Sequence, residues 1–159
     1  MKIKDKSKQT ILNGVYLKFK WQNKYPVDGV MIYDLVEKAN SSWVGTYYLF
    51  CLVLGIIQQE SNFDEKAIGV NKDDIGLMQI NLKAFPDVSK KEMLNPELNV
   101  KKGISILVDH LRHYNFIAAA VSAYHVGHYD KKHYDANYAG KVILNFEEWC
   151  EYFRVGHYG

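Results

Sequence analysis

The chain has 159 residues, of which 48% are hydrophobic and 24% are charged. This length is typical of one domain, and such a domain buries enough surface to fold without a metal ion or a disulfide. Twenty Lys and Arg residues against eighteen Asp and Glu residues leave a formal net charge of +2. That charge is too small to predict nucleic-acid binding, which requires a strongly basic surface.

The start of the chain is charged and polar. Its first twenty residues lack the apolar stretch and small-residue cleavage site of a secretory signal, so we expect no signal peptide within this chain. The uncharged stretch over 39–59 has an apolar centre only over 47–57. This centre is too short to cross a bilayer, and it predicts a helix of the core.

Apolar residues recur mostly at helical spacing, and only three prolines interrupt the chain, which predicts a mainly helical domain. Asp28 is expected to cap a first helix, and a second helix is expected over about 42–60. Residues 61–87 contain glycines, asparagines and paired aspartates without sustained periodicity, which indicates an ordered loop region that could include a small hairpin. The apolar face expected for the first helix consists of Met31, Ile32, Leu35 and Val36.

Three further helices are expected in the second half of the chain. The tripeptide 95–97 (Asn-Pro-Glu) combines a capping side chain, a first-turn proline and a first-turn acid, so it predicts a helix start. A short apolar helix is expected over 116–124, before Gly127, and a last helix over about 134–153.

The two cysteines, Cys51 and Cys150, do not have the spacing of metal ligands. Two unpaired, buried thiols fit the pattern, because Cys51 lies within an apolar stretch where a thiol packs as a small hydrophobe. A disulfide between two helices also fits, if the protein works outside the cytoplasm.

Glu60 is a candidate catalytic acid. It lies on the helical face of Leu49, Val53 and Ile56, so its carboxyl group is directed toward the core. Burial and the negative end of the helix dipole both raise the pKa of a carboxyl group in this position. A neutral carboxylic acid can donate a proton to a glycosidic bond. A solvated glutamate at a helix end fits the same spacing.

Several motifs follow one another in a fixed order along the chain. They are Glu60-Ser61, Ala67, 76–81 (Gly-Leu-Met-Gln-Ile-Asn), 95–107, 123–127 (Ala-Tyr-His-Val-Gly) and 137–142. In these motifs the sequence resembles the lytic transglycosylases, and the resemblance extends over about 44–146, two thirds of the chain.

The resemblance implies a mainly helical, lysozyme-like fold and cleavage of the β-1,4 bond between N-acetylmuramic acid and N-acetylglucosamine in peptidoglycan. It implies Glu60 as the sole general acid and base, a 1,6-anhydro product, and no cofactor or metal. We expect a monomer that binds peptidoglycan glycan strands at the bacterial cell wall, without a nucleic acid or a membrane span. The expected substrate-binding residues are Ser61, Met78, Gln79, Tyr124, His125 and Tyr138.

Tyr124 is expected to form a hydrogen bond near Glu60, and Tyr138 is expected across the groove. His125 departs from the asparagine that is usual in this family and could add a pH dependence. The charged residues before Gly76 are closer to specialised members that serve secretion, conjugation or phage entry. Residues 1–40 show no resemblance. We therefore expect an N-terminal extension with the first helix over 1–40 and a catalytic domain over 41–159, together forming one compact domain.

Two other functions are considered. Asp73 or Asp74 could serve as the second carboxylate of a hydrolytic muramidase, as in goose-type lysozymes, although Asn81 stands where those enzymes have an aspartate. A wall-binding domain without catalysis is disfavoured, because a binder has no use for a buried proton donor.

A histidine-rich segment follows the short apolar helix that is expected over 116–124. His125, His128, Asp130 and His133 could suggest zinc, but regular ligand spacing is missing and Gly127 interrupts the segment. We interpret it as a polar loop beside a sugar groove. His110 and His113 are interpreted as exposed.

Overall fold

Six helices and a two-stranded hairpin form the part of the chain that the computed structural model describes, residues 28–39, 43–127 and 132–154. The mainly helical fold is confirmed. The elements are α1 (Gly29–Ala39), α2 (Thr46–Ser61), β1 (Asp74–Ile75), β2 (Ile80–Asn81), α3 (Lys90–Met93), α4 (Pro96–His113), α5 (Ile117–Val126) and α6 (Ala136–Arg154).

Helix α2 lies at the centre of the fold. Nine consecutive residues, 49–57, are buried, as expected for a helix that is covered on all sides. Its most extensive contact is with α6, which approaches closely at Gly55. A Cβ atom on Gly55 would lie 3.1 Å from the backbone oxygen of Val142. The close approach holds the last turn of α2, which carries Glu60, against the rest of the core.

Helix α2 begins at Thr46, four residues later than expected. The indole nitrogen of Trp43 donates a hydrogen bond of 3.0 Å to the backbone oxygen of Leu111. This long-range contact ties the segment before the helix to α4, and no local sequence pattern could predict it. Residues 40–42 lie outside the described residues.

Helix α1 begins as expected, because the Asp28 carboxylate accepts a 2.9 Å hydrogen bond from the backbone nitrogen of Met31. Ile32, Leu35 and Val36 are buried, and the helix packs against α4 and α2. Tyr33 is also buried, whereas Met31 is only partly buried. Helix α1 therefore contributes to the same core as the rest of the described chain.

The expected small hairpin is present. Strands β1 and β2 pair antiparallel, with Ile75 opposite Ile80. Helix α3 was not predicted, although its sequence signal is present: Ser89 and Glu92 form a reciprocal capping box. Asn95 caps α4, and Gly127 ends α5 with a φ of 88°, as expected.

The two cysteines are free thiols that meet where α2 contacts α6. Cys51 is buried and Cys150 is partly exposed. A hydrogen bond between them raises the pKa of the Cys51 thiol and lowers that of Cys150. One turn before Cys51, the Tyr47 hydroxyl donates a 2.8 Å hydrogen bond to the backbone oxygen of Cys150.

The described residues contain no helix with the length and apolar character needed to cross a membrane. The charged start of the chain and two members of the histidine-rich segment, His128 and Asp130, lie outside the described residues.

Oxidation is expected to join Cys51 and Cys150, because their thiols are already in contact. Oxidised glutathione would take up both hydrogens and be reduced to two thiols. Mass spectrometry should show the loss of two hydrogen atoms, and urea unfolding should show a stabilisation of about 2–4 kcal/mol. Cys150→Ser is the control and should not respond. A wild-type protein that keeps both thiols after prolonged oxidation would contradict the prediction.

Candidate functional site

An open groove of about 780 Å³ crosses the end of α2. Its lining includes Glu60 from α2, Asp74 and Gln79 from the hairpin region, and Tyr124 and His125 from α5. Its lining also includes four residues that the sequence analysis did not predict: Phe85, Ile106, Asp109 and His110. A second cavity, of about 240 Å³, lies between α1 and the start of α4 and does not include Glu60.

Glu60 occupies the last turn of α2, and Asn62 ends this helix in the left-handed conformation with a φ of 50°. The Tyr138 hydroxyl donates a 2.5 Å hydrogen bond to Glu60 Oε1. Burial is the main cause that raises the pKa of Glu60 to about 7; the negative charge of Asp74 also raises it, and the Tyr138 hydrogen bond opposes the shift. Near neutral pH this carboxyl group can therefore both donate and accept a proton.

Tyr138 and Tyr124 both approach Glu60, but their hydroxyl groups donate hydrogen bonds to different acceptors. The Glu60 charge contributes to the raised pKa of each tyrosine. The Tyr124 hydroxyl donates a 2.7 Å hydrogen bond to the backbone oxygen of Met78. Tyr138, which was expected across the groove, is instead the residue bonded to Glu60.

Tyr138 is itself held by residues at the start of α6. Asp135 accepts a 2.9 Å hydrogen bond from the backbone nitrogen of Tyr138 and so caps the helix. The backbone nitrogen of Asp135 donates to Ser122 Oγ at 2.9 Å. The His125 ring stacks on the Tyr138 ring, with centroids 4.1 Å apart and planes 12° apart.

Ser61 connects the end of α2 to the segment before β2. Its Oγ lies 2.8 Å from the backbone oxygen of Leu77 and 3.2 Å from that of Ile57. Both acceptors belong to the protein, so the position of Ser61 fits support of Glu60 better than contact with a sugar.

The expectation that Met78 lines the groove is wrong for its side chain, which is fully buried. A Cβ atom on Gly103 would lie 2.3 Å from Met78 Sδ, so the glycine leaves the space that this side chain fills. Gln79 does line the groove, and its side-chain nitrogen also donates to the backbone oxygen of Gly76 at 2.9 Å.

Asn99 is a buried supporting residue that the sequence analysis missed. Its side-chain nitrogen donates to the backbone oxygens of Ile75 and Met93, at 2.7 and 2.9 Å. Its side-chain oxygen accepts from the backbone nitrogen of Met78 at 2.8 Å. Gly76, with a φ of 78°, has no room for a Cβ atom beside this amide. The sequence does contain a signal for this role, because Asn99 is a polar residue one turn before Gly103 on the apolar face of α4.

The adjacent residues Asp73 and Asp74 have different contacts. Asp73 forms an ion pair of 2.7 Å with Lys83. Asp74 lines the groove, and its carboxylate accepts a 2.8 Å hydrogen bond from the Asn81 side chain. Only Asp74 of this pair is among the causes that raise the pKa of Glu60.

The expectation that His110 is exposed is wrong. It is partly buried and lines the groove, and burial lowers its pKa, whereas His113 is exposed as expected. Within the described ranges, no three His, Cys, Asp or Glu side chains come together as a set that could hold a metal ion.

Asn99→Ala should destabilise the fold, because it leaves two buried carbonyl groups and one buried N–H group without their partner. We expect a loss of at least about 2 kcal/mol in the free energy of unfolding, measured by urea denaturation. Asn137→Ala, on the exposed side of α6, should change it by less than about 0.5 kcal/mol. Equal effects of the two substitutions would show that the three hydrogen bonds of the Asn99 side chain do not stabilise the fold.

The ionisation of Glu60 should affect stability between about pH 4.5 and 7, because its pKa is about 7 in the folded chain and 4.5 ordinarily. The unfolded chain releases this proton first, so the wild-type protein loses stability as the pH rises through this window. Glu60→Gln removes that loss. The free energy of unfolding of Glu60→Gln relative to that of the wild type, measured with urea, should therefore increase with pH.

Glu148→Gln is the matched control, because Glu148 is exposed on α6. It should leave the pH dependence of unfolding as in the wild type. If Glu60→Gln had the same effect at both ends of the pH window, the raised pKa of Glu60 would be disproved.

Comparison with known proteins identifies a family and similar proteins. Residues 46–146 match the family described as Transglycosylase SLT domain. The chain is 39% identical over 111 residues to invasion protein IagB of Salmonella typhi. The alignment covers 63% of this chain and 69% of that protein. It is 38% identical over 108 residues to invasion protein IagB of Salmonella typhimurium strain SL1344. This alignment covers 61% of this chain and 67% of that protein.

No solved structure gave a significant match to the chain. The family match extends over more than half of the residues and includes all of α2, the hairpin, α4 and α5. The chain therefore belongs to the transglycosylase SLT domain family.

Proposed function

We propose that this protein is a peptidoglycan lytic transglycosylase, with Glu60 as its general acid and base. The observation that carries the proposal is one carboxyl group at the edge of a groove, with a pKa of about 7 that is caused mainly by burial. A proton donor of this kind suits cleavage of a glycosidic bond at neutral pH.

The reaction has two proton transfers, and Glu60 takes part in both. Glu60 first gives its proton to the glycosidic oxygen, and the bond from that oxygen to the anomeric carbon of N-acetylmuramic acid breaks. The Glu60 carboxylate then takes the proton of the C6 hydroxyl of the same sugar. That hydroxyl oxygen bonds to the anomeric carbon, so a 1,6-anhydro product forms and no water is consumed.

Tyr138 acts on this carboxyl group in two ways. Its hydroxyl donates to Glu60 Oε1, so it stabilises the carboxylate after the first proton transfer and fixes the orientation of the group. Oε2 is then the oxygen that exchanges the proton with the sugar.

A hydrolytic muramidase is the second candidate, and one observation favours it. Asp74 lines the same groove as Glu60, and its charge contributes to the raised pKa of Glu60. In this alternative Asp74 would activate a water molecule, and the product would carry a reducing end. Asp73 is less suited to this role, because it pairs with Lys83.

The setting of the reaction is the bacterial cell wall, where peptidoglycan is found. The relatives in Salmonella are named invasion proteins, and this name supports a specialised opening of the wall over general wall turnover. The charged residues before Gly76 support the same proposal, because specialised members of the family have a similar segment.

Digestion of purified peptidoglycan, with mass spectrometry of the products, tests the proposal. The wild-type protein should release products lighter by one water than their reducing counterparts. Glu60→Gln should remain folded and bind glycan strands, but lose at least about 100-fold in rate, because it cannot transfer a proton. Wild-type activity in Glu60→Gln would overturn the role of Glu60.

Asp74→Asn and Asp73→Asn form a matched pair that separates the two candidate reactions. For a transglycosylase, both variants should still give anhydro products. Reducing ends from the wild type, with activity lost in Asp74→Asn and retained in Asp73→Asn, would establish the muramidase instead. No cleavage by folded wild-type protein would leave a binding domain.

A further inference from the structure

We propose that His125 is a positioning residue that holds the Tyr138 hydroxyl on Glu60. The proposal rests on the function proposed above, in which Glu60 transfers the proton. His125 was expected to contact substrate; the role inferred here acts through the Tyr138 ring instead. The geometry that points to it is a continuous series of contacts from His125 to Tyr138 to Glu60.

The first contact is the stack of the two rings. Their centroids are 4.1 Å apart and their planes are 12° apart, so the imidazole covers one face of the phenol. Tyr138 lies on α6 and His125 on α5, and the stack therefore joins the two helices beside the groove. A ring covered in this way has less freedom to rotate about its side-chain bonds.

Asp135 contacts both residues of this pair. One of its carboxylate oxygens accepts the backbone hydrogen bond of Tyr138, at 2.9 Å. The other lies 3.5 Å from His125 Nε2. The position of Asp135 is set in turn by its hydrogen bond to Ser122 on α5. His125 and Tyr138 are thus located relative to each other by a stack and by a shared carboxylate.

The last contact is the hydrogen bond from Tyr138 to Glu60 Oε1. This bond stabilises the charged carboxylate and opposes the effect of burial on the pKa of Glu60. A Tyr138 ring that is free to move would make this bond for less of the time. The pKa of Glu60 would then rise further, and the carboxyl group would be less well oriented.

Two substitutions test the parts of this contact separately. The asparagine amide cannot replace an aromatic ring in the stack, so His125→Asn removes the stack while keeping a polar side chain. His125→Phe keeps a ring while removing the nitrogen that faces Asp135. The two variants separate the stack from the polar contact.

Titration of the Glu60 carboxyl carbon by NMR, without substrate, is the first test. His125→Asn should raise the pKa of Glu60, as should Tyr138→Phe, which removes the hydroxyl. His125→Phe should restore the wild-type value. In a Tyr138→Phe background, His125→Asn should cause no further shift, because the two residues act through one hydrogen bond. His113→Asn, at the exposed end of α4, is the matched histidine control.

Rates with peptidoglycan are the second test. His125→Asn should lower kcat by between about tenfold and 100-fold, and the alkaline limb of its pH profile should move to higher pH. His125→Phe should recover most of the rate. Thermal unfolding of each variant verifies that it is folded.

An unchanged Glu60 pKa in folded His125→Asn would overturn the proposal, and so would an equal shift with and without the Tyr138 hydroxyl. The titration needs no catalysis, so it decides the positioning role separately. A wild type that makes no anhydro product would overturn the proposed reaction instead.

Discussion

The burial of the Glu60 carboxyl group is the constraint on which the site depends. Helix α2 passes through the core with residues 49–57 buried, and it ends where the core meets the groove. The last turn therefore places the partly buried Glu60 side chain at the boundary between the core and the groove, and burial there raises its pKa to about 7. Close packing of α6 at Gly55 holds α2 in this position. The chemistry of Glu60 is thus a consequence of how one helix is packed.

Two supports of different kinds hold the groove around this carboxyl group. On one side, Asn99 binds three backbone groups of the surrounding loops, and Ser61 links the end of α2 to Leu77. On the other side, Tyr138 and His125 meet face to face where α5 and α6 adjoin. The first support uses buried hydrogen bonds to the backbone, which position a loop that has little core of its own. The second positions a single hydroxyl group.

Local signals were sufficient for most helix ends. Asp28, Asn95 and Gly127 act where the sequence predicted, because capping depends on residues within about four positions of one another. Helix α3 has a capping box of the same kind and could have been predicted. The start of α2 could not, because its N-cap residue, Gly45, forms no capping hydrogen bond through a side chain.

The sequence by itself determined the mainly helical fold, the family and the position of Glu60 on an apolar helical face, since these follow from periodicity and local motifs. Only the tertiary structure decided that Tyr138 binds Glu60, that Asp74 and not Asp73 approaches it, and that Met78 is buried. The physical reason is distance along the chain. Tyr138 and Glu60 are 78 positions apart, and which side chains meet across such a separation depends on how the helices pack.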